Sequence, residues 1–141
     1  MKIWINGCFD VLHYGHFRLI NYARSFGGEL IVGIDSDKRV RESKGQDRPI
    51  HTAEQRKYNL LQLVGVRDVW VFDTDAELDE LIKNYQPDIF VIGDDYKYKP
   101  IIGYNYAKEV KFFDRIPELS TTKIITPTIY CFCLFTSLLD S

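Results

Sequence analysis

The chain is poor in cysteine, with three in 141 residues: Cys8, Cys131 and Cys133. An odd number without regular spacing is not a disulfide framework, and it points to a reducing compartment. Cys131-Phe132-Cys133 lacks the second ligand pair that a closed zinc site needs. Charge of one sign is also missing: 18 Lys and Arg stand against 20 Asp and Glu, a net charge of −2. That argues against nucleic acid as a partner. A small anion needs only a local cluster of donors and stays open. Long apolar runs are absent too. Ile3 to Ile5 is too short for a signal-peptide core, and Ile129 to Leu139 is too short for a membrane span. The expectation is a cytoplasmic domain without a membrane span. There is no G-x-x-x-x-G-K-[S/T], no G-x-G-x-x-G after the first strand and no G-x-S-x-G elbow. These absences argue against a P-loop kinase, a dinucleotide oxidoreductase and an α/β-hydrolase.

What is present is an alternation. Lys2 to Asn6 reads as a buried strand, followed by apolar residues at helical spacing: Phe17, Ile20 and Ala23, with Leu19 alongside. Gly27-Gly28 closes that helix. Glu29 to Asp35 is nearly all apolar, as in a strand covered on both faces. Ser36 to Arg48 is polar and basic and reads as a loop with room for a short helix. Thr52-Ala-Glu-Gln55 matches a capping box and opens a helix to about Leu63. Val69 to Phe72 is a third strand. Thr74 opens a helix ending near Tyr85, before Pro87. Ile89 to Ile92 and Glu109 to Phe113 are the fourth and fifth strands. This pattern predicts an α/β fold: a Rossmann-like open parallel sheet of about five strands with helices on both faces.

Open sheets of this kind bind ligands beyond the carboxyl ends of their strands. Gly7 to His16 follows the first strand. Asp35 and the basic stretch with Lys44 follow the second, Asp94 and Asp95 the fourth, and Arg115 and Ser120-Thr-Thr the fifth. Imidazole, ammonium, guanidinium and hydroxyl groups therefore collect at one edge. His13 and His16, three residues apart at a helix start, point into a common space. Two imidazoles and a helix N-terminus can donate to phosphate oxygens, and Gly15 opens the approach to the backbone. Two other readings stand beside this one: local satisfaction of both rings, and a zinc site using Cys8, His13 and His16.

Gly7-Cys-Phe-Asp-Val-Leu-His-Tyr-Gly-His16 resembles the signature G-x-F-D-x-x-H-x-G-H of the cytidylyltransferase-like nucleotidyltransferases. Arg115-Ile-Pro-Glu-Leu-Ser-Thr-Thr-Lys-Ile124 resembles that superfamily's second signature. The likeness spans residues 1–125, a nucleotidyltransferase domain, and leaves 126–141 as an atypical apolar tail. It implies transfer of a nucleotidyl group from a nucleoside triphosphate to a phosphorylated acceptor, with pyrophosphate leaving. It assigns His13, His16, Lys44 and Arg115 to catalysis. It assigns Gly7, Cys8, Phe9, Asp10, Gly15, Asp94, Ser120, Thr121 and Thr122 to the nucleotide, and Arg56 and Asp35 to the acceptor. Mg²⁺ is expected with the triphosphate, with no protein ligand assigned to it, and a homodimer is common among relatives of this size. Asp10 has a second reading as a turn residue bonding backbone N–H groups. Arg56 and Lys44 have second readings as solvated surface. Asp94 and Asp95 suit the base, the ribose or the metal.

Two subgroups share the resemblance. Ile92-Gly-Asp-Asp95 is similar to glycerol-3-phosphate cytidylyltransferases. Ser43-Lys-Gly45, Arg48-Pro49, Glu54-Gln-Arg56 and Ile102-Gly103 are closer to the nucleotidyltransferase domain of ADP-heptose synthases. The first expectation is CTP with glycerol 3-phosphate. ATP with a heptose 1-phosphate is the alternative, and a non-catalytic nucleotide-binding protein is the third reading. The tail from Thr126 to Ser141 holds no Lys, Arg or Glu, and Pro127 interrupts any helix begun at Ser120. It reads as a packing segment, a disordered one or the product of an altered reading frame.

Overall fold

The computed structural model describes residues 1–93 and 100–113. Asp94, Asp95, Arg115, Ser120, Thr121, Thr122 and the segment 126–141 lie outside the described residues, and so do the readings attached to them. Five strands form one sheet: β1 (Lys2–Gly7), β2 (Glu29–Asp35), β3 (Val66–Phe72), β4 (Ile89–Gly93) and β5 (Glu109–Phe113). Their order is β3-β2-β1-β4-β5, and every pairing is parallel. The helices are α1 (Tyr14–Arg24), α2 (Asp37–Lys44), α3 (Ala53–Leu61) and α4 (Asp75–Tyr85). None among the described residues is long and apolar enough to cross a membrane.

Side-chain alternation along the strands sorts the core into two layers. Ile3, Ile5, Leu30, Val32 and Ile34 join Leu19, Ile20 and Ala23 of α1 and Leu60 of α3. Trp4, Ile31, Phe90 and Ile92 join Leu78, Ile82 and Tyr85 of α4 on the other face. Both faces are thus covered, as the apolar strands require. Gly33 lets the Trp4 indole lie against β2; a Cβ there would meet Trp4 Cζ2 at 2.5 Å.

One expectation needs correction. Phe17 is exposed, and the buried stripe of α1 is His16, Leu19, Ile20 and Ala23. A histidine fills the core-facing position that spacing alone gave to an apolar residue. The basic stretch after β2 holds the short helix it had room for, α2. Ser36 Oγ accepts the Arg39 N–H as N-cap, Asp37 lies in the first turn, and Arg41 and Lys44 lie in the last. Only Val40 of this helix is buried, so no core periodicity marked it.

Candidate active site

The chain leaves β1 toward β2 on one side, while β4 pairs on the other. The carboxyl end of β1 is therefore the switch point where an open sheet parts its connections. The loop Cys8–His13 occupies it. Phe9 takes φ +52°, a conformation costly for a bulky side chain, and its buried ring lies 5.2 Å from the His16 ring.

His13 is the N-cap of α1. Its Nδ1 accepts the Gly15 N–H at 3.0 Å, and its own N–H donates to His16 Nδ1 at 3.2 Å. This is a capping box in which two histidines replace the usual hydroxyl and carboxylate. A nitrogen that accepts carries no proton, so each neutral ring holds its proton on Nε2. The rings stack at 3.9 Å. Two aligned N–H donors at a helix N-terminus suit an anion whose charge is growing. Among the described residues no group of three or more His, Cys, Asp or Glu can hold a metal ion, and Cys8, His13 and His16 do not form the zinc site considered above.

Asp10 is 3 % exposed. Its carboxylate accepts from Ile50 N and His51 N, both at 2.8 Å, and from Arg48 Nε at 3.1 Å. It bonds backbone N–H groups as its second reading held, but across forty residues of chain rather than within its own turn. Arg56 is fully buried. It donates to the carbonyls of Cys8 (3.0 Å), Asp35 (2.7 Å) and His51 (3.0 Å) and to Asp37 Oδ1 (2.8 Å). Arg56 is therefore not a solvated helix residue. It joins the histidine loop, the end of β2 and the start of α2.

Gly7 and Gly15 are buried beside the loop, and Cys8 is a buried thiol. Lys44 is half-buried at the end of α2, and its charge is felt at Asp35. Asp35 Oδ1 accepts from Arg39 Nε at 2.6 Å. Burial pushes its carboxyl above the ordinary value, against the opposing pull of Arg39, Arg56 and Lys44. A cavity of about 130 Å³ opens at the ends of β1 to β4, lined by Asn6, Asp35, Arg39, Phe72, Leu78, Phe90 to Gly93 and Pro100 to Ile102. Asn6 and Arg39 were missed in the sequence. The available signals were strand parity, which puts Asn6 on the Trp4 face, and the spacing of four between Asp35 and Arg39.

Sheet order and loop geometry define a doubly wound, Rossmann-like α/β domain with a histidine-capped first helix. A sequence model described as cytidylyltransferase-like matches residues 4–129. The chain belongs to that family of nucleotidyltransferases. It is 45% identical over 123 residues to the bifunctional protein HldE of a Nitratiruptor species, covering 87% of this chain and 26% of that one. It is 46% identical to HldE of Sulfurimonas denitrificans, with the same coverage. The chain therefore spans about a quarter of the length of these curated relatives. Among solved structures it resembles the lipopolysaccharide core biosynthesis protein of Thermoplasma volcanium, with a TM-score of 0.60 and 22% identity over 89% of this chain and 88% of that one. A protein of unknown function from Archaeoglobus fulgidus gives a TM-score of 0.65 at 19% identity, over 81% of this chain and 90% of that one. These two likenesses bear on the fold.

Proposed function

We propose that the chain transfers the adenylyl group of ATP to a sugar phosphate of the heptose 1-phosphate type. An acceptor phosphate oxygen attacks the α-phosphorus, the bond to the bridging oxygen breaks, and pyrophosphate leaves with the electron pair. The HldE relatives carry this reading, since they are ADP-heptose synthases. They reverse the order given by the sequence, which put CTP and glycerol 3-phosphate first. The weak point of that first ranking was Ile92-Gly-Asp-Asp95, a four-residue likeness outweighed by identity over 123 residues.

In this proposal the protein's contribution is positioning and charge stabilisation. His13 and His16 donate from Nε2 to the α-phosphate as charge builds. Lys44 neutralises phosphate oxygens. Arg115, Ser120, Thr121 and Thr122 keep phosphate roles that rest on their motif alone. Mg²⁺ held by the triphosphate would screen phosphate charge.

The test is pyrophosphate release with ATP, CTP, GTP and UTP against a heptose 1-phosphate and glycerol 3-phosphate, with His13→Asn as the control. Release with ATP and the heptose phosphate, lost in the variant, is the expected result. Release with CTP and glycerol 3-phosphate would restore the first ranking. Nucleotide binding without turnover for any pair would leave a binding protein.

A further inference from the structure

The histidine loop turns on a residue in an expensive conformation. Phe9 takes φ +52°, a region that glycine enters freely and that crowds the Cβ of other residues. A glycine would serve if the loop needed only its backbone shape. The chain places a phenylalanine there and buries it to 1 % exposure. Strain of this kind persists where the surrounding structure holds it.

The holding contacts form a closed loop of hydrogen bonds. Before Phe9, the Cys8 carbonyl accepts from Arg56 Nη1 at 3.0 Å. After it, the Asp10 carboxylate accepts from Ile50 N and His51 N, both at 2.8 Å. Arg56 Nε closes the loop by donating to the His51 carbonyl at 3.0 Å. Both neighbours of Phe9 are thus anchored to one segment, residues 50–56.

The aromatic ring held this way meets His16. The two ring centroids are 5.2 Å apart with planes tilted by 50°, and His16 is itself 1 % exposed. His16 Nδ1 accepts the His13 N–H at 3.2 Å. That bond ties down one nitrogen, but the terminal torsion of a histidine is broad. One hydrogen bond does not set the ring plane, and the ring plane sets where Nε2 points. The stacked His13 ring at 3.9 Å and the Phe9 ring supply further constraints. Their precision matters, since a misplacement of about 1 Å at a reacting group can cost about a hundredfold in rate.

We infer that Phe9 is a positioning residue: its strained backbone sets the aromatic ring against His16, and the ring keeps the His16 Nε2 donor aimed at the α-phosphate. This rests on His16 acting in the transfer proposed above. The nucleotide role expected of Phe9 from its motif can be met by its backbone; its side chain has this separate task. A Phe9 that only filled the core beside Leu19 and Ile20 would need apolar volume and no ring.

The experiment uses the full chain with Phe9→Leu, which keeps the left-handed strain and most of the apolar volume but removes the flat ring, and Phe9→Met as a second variant. Thermal melting checks folding. Pyrophosphate release with ATP and heptose 1-phosphate gives kcat and the ATP KM. Proton–nitrogen correlation spectra of the histidine rings report the tautomer of His16. In wild type, His16 should appear as one tautomer with its proton on Nε2. In the folded variants its ring signals should shift toward an average of two tautomers, and kcat should fall about ten- to hundredfold while the ATP KM stays near wild type. Unchanged kcat, or an unchanged His16 spectrum, in a folded variant would overturn the inference. A raised ATP KM with normal kcat would give the side chain to the nucleotide and overturn it as well. Should neither variant fold, wild type decides: cross-relaxation between Phe9 and His16 ring protons with a single Nε2–H tautomer supports the positioning, and the lack of either overturns it. If wild type releases no pyrophosphate with any nucleotide and acceptor, the proposed function fails, and the hold of Phe9 on His16 is judged from the ring spectra alone.

Discussion

The His13 and His16 rings stack at 3.9 Å, and each Nδ1 is held by a backbone N–H of the same helical turn. One nitrogen of each ring is spent on the fold, which fixes the direction of the other. Asparagine is among the best N-caps, and its side-chain oxygen can replace Nδ1. His13→Asn therefore keeps the helix start and removes the Nε2 donor. Its melting temperature should stay near wild type while pyrophosphate release drops by about 10²–10³-fold, the usual loss for one preorganised donor. Normal turnover in a folded His13→Asn would remove His13 from the reaction.

Arg56 should prove a stability residue. It is fully buried and donates four hydrogen bonds. Arg56→Met leaves three carbonyls and the Asp37 carboxylate without this donor. Asp37 is partly exposed and keeps the Ala53 N–H, so the cost falls on the carbonyls, and a buried acceptor left unpaired costs about 1–3 kcal/mol. Urea denaturation should show a loss of that size, partly restored in Arg56→Lys. A loss below about 1 kcal/mol, within the range of an ordinary surface change, would contradict this placement.

The His51 peptide units are gripped from both ends: His51 N donates to Asp10 Oδ1 at 2.8 Å, and its carbonyl accepts from Arg56 Nε at 3.0 Å. The two residues thus act on one segment. A double-mutant cycle of Asp10→Asn and Arg56→Met should show a coupling of about 0.5–3 kcal/mol in stability, because the first change frees the segment that the second would free. Strict additivity would show that the two ties act independently.

The sheet was legible because β2 and β4 are almost wholly apolar, and Thr52 and Thr74 cap helices where their patterns placed them. The site was legible only in part. His13 and His16 were read as donors to a ligand, and the structure adds that the two rings also cap their own helix. Arg56 was read first as an acceptor contact and second as solvated surface, and neither reading foresaw its full burial. Its burial depends on carbonyls of Cys8 and Asp35, brought in by the topology. α2 was faint because only Val40 faces the core. Arg39 was hidden for a similar reason: its partner Asp75 is thirty-six residues away.

Asp88 supplies a pH dependence that its contacts define. Its Oδ2 accepts the Lys2 N–H at 2.7 Å, and its Oδ1 lies 3.0 Å from Lys108 Nζ. The Lys2 N–H, followed by Lys108, holds the carboxyl below the ordinary carboxylate value. The unfolded chain then binds more protons than the folded one across the window between the two pKa values. Stability from this group is therefore present above the unfolded carboxylate value and is lost as pH falls through the folded one. Asp88→Asn removes the titration but leaves an oxygen for the Lys2 N–H. Urea midpoints between neutral and acid pH should fall less steeply in Asp88→Asn than in wild type, with the two curves drawing together at the acid end. Parallel curves across the whole range would mean that the contacts at the start of β1 do not hold Asp88 ionised.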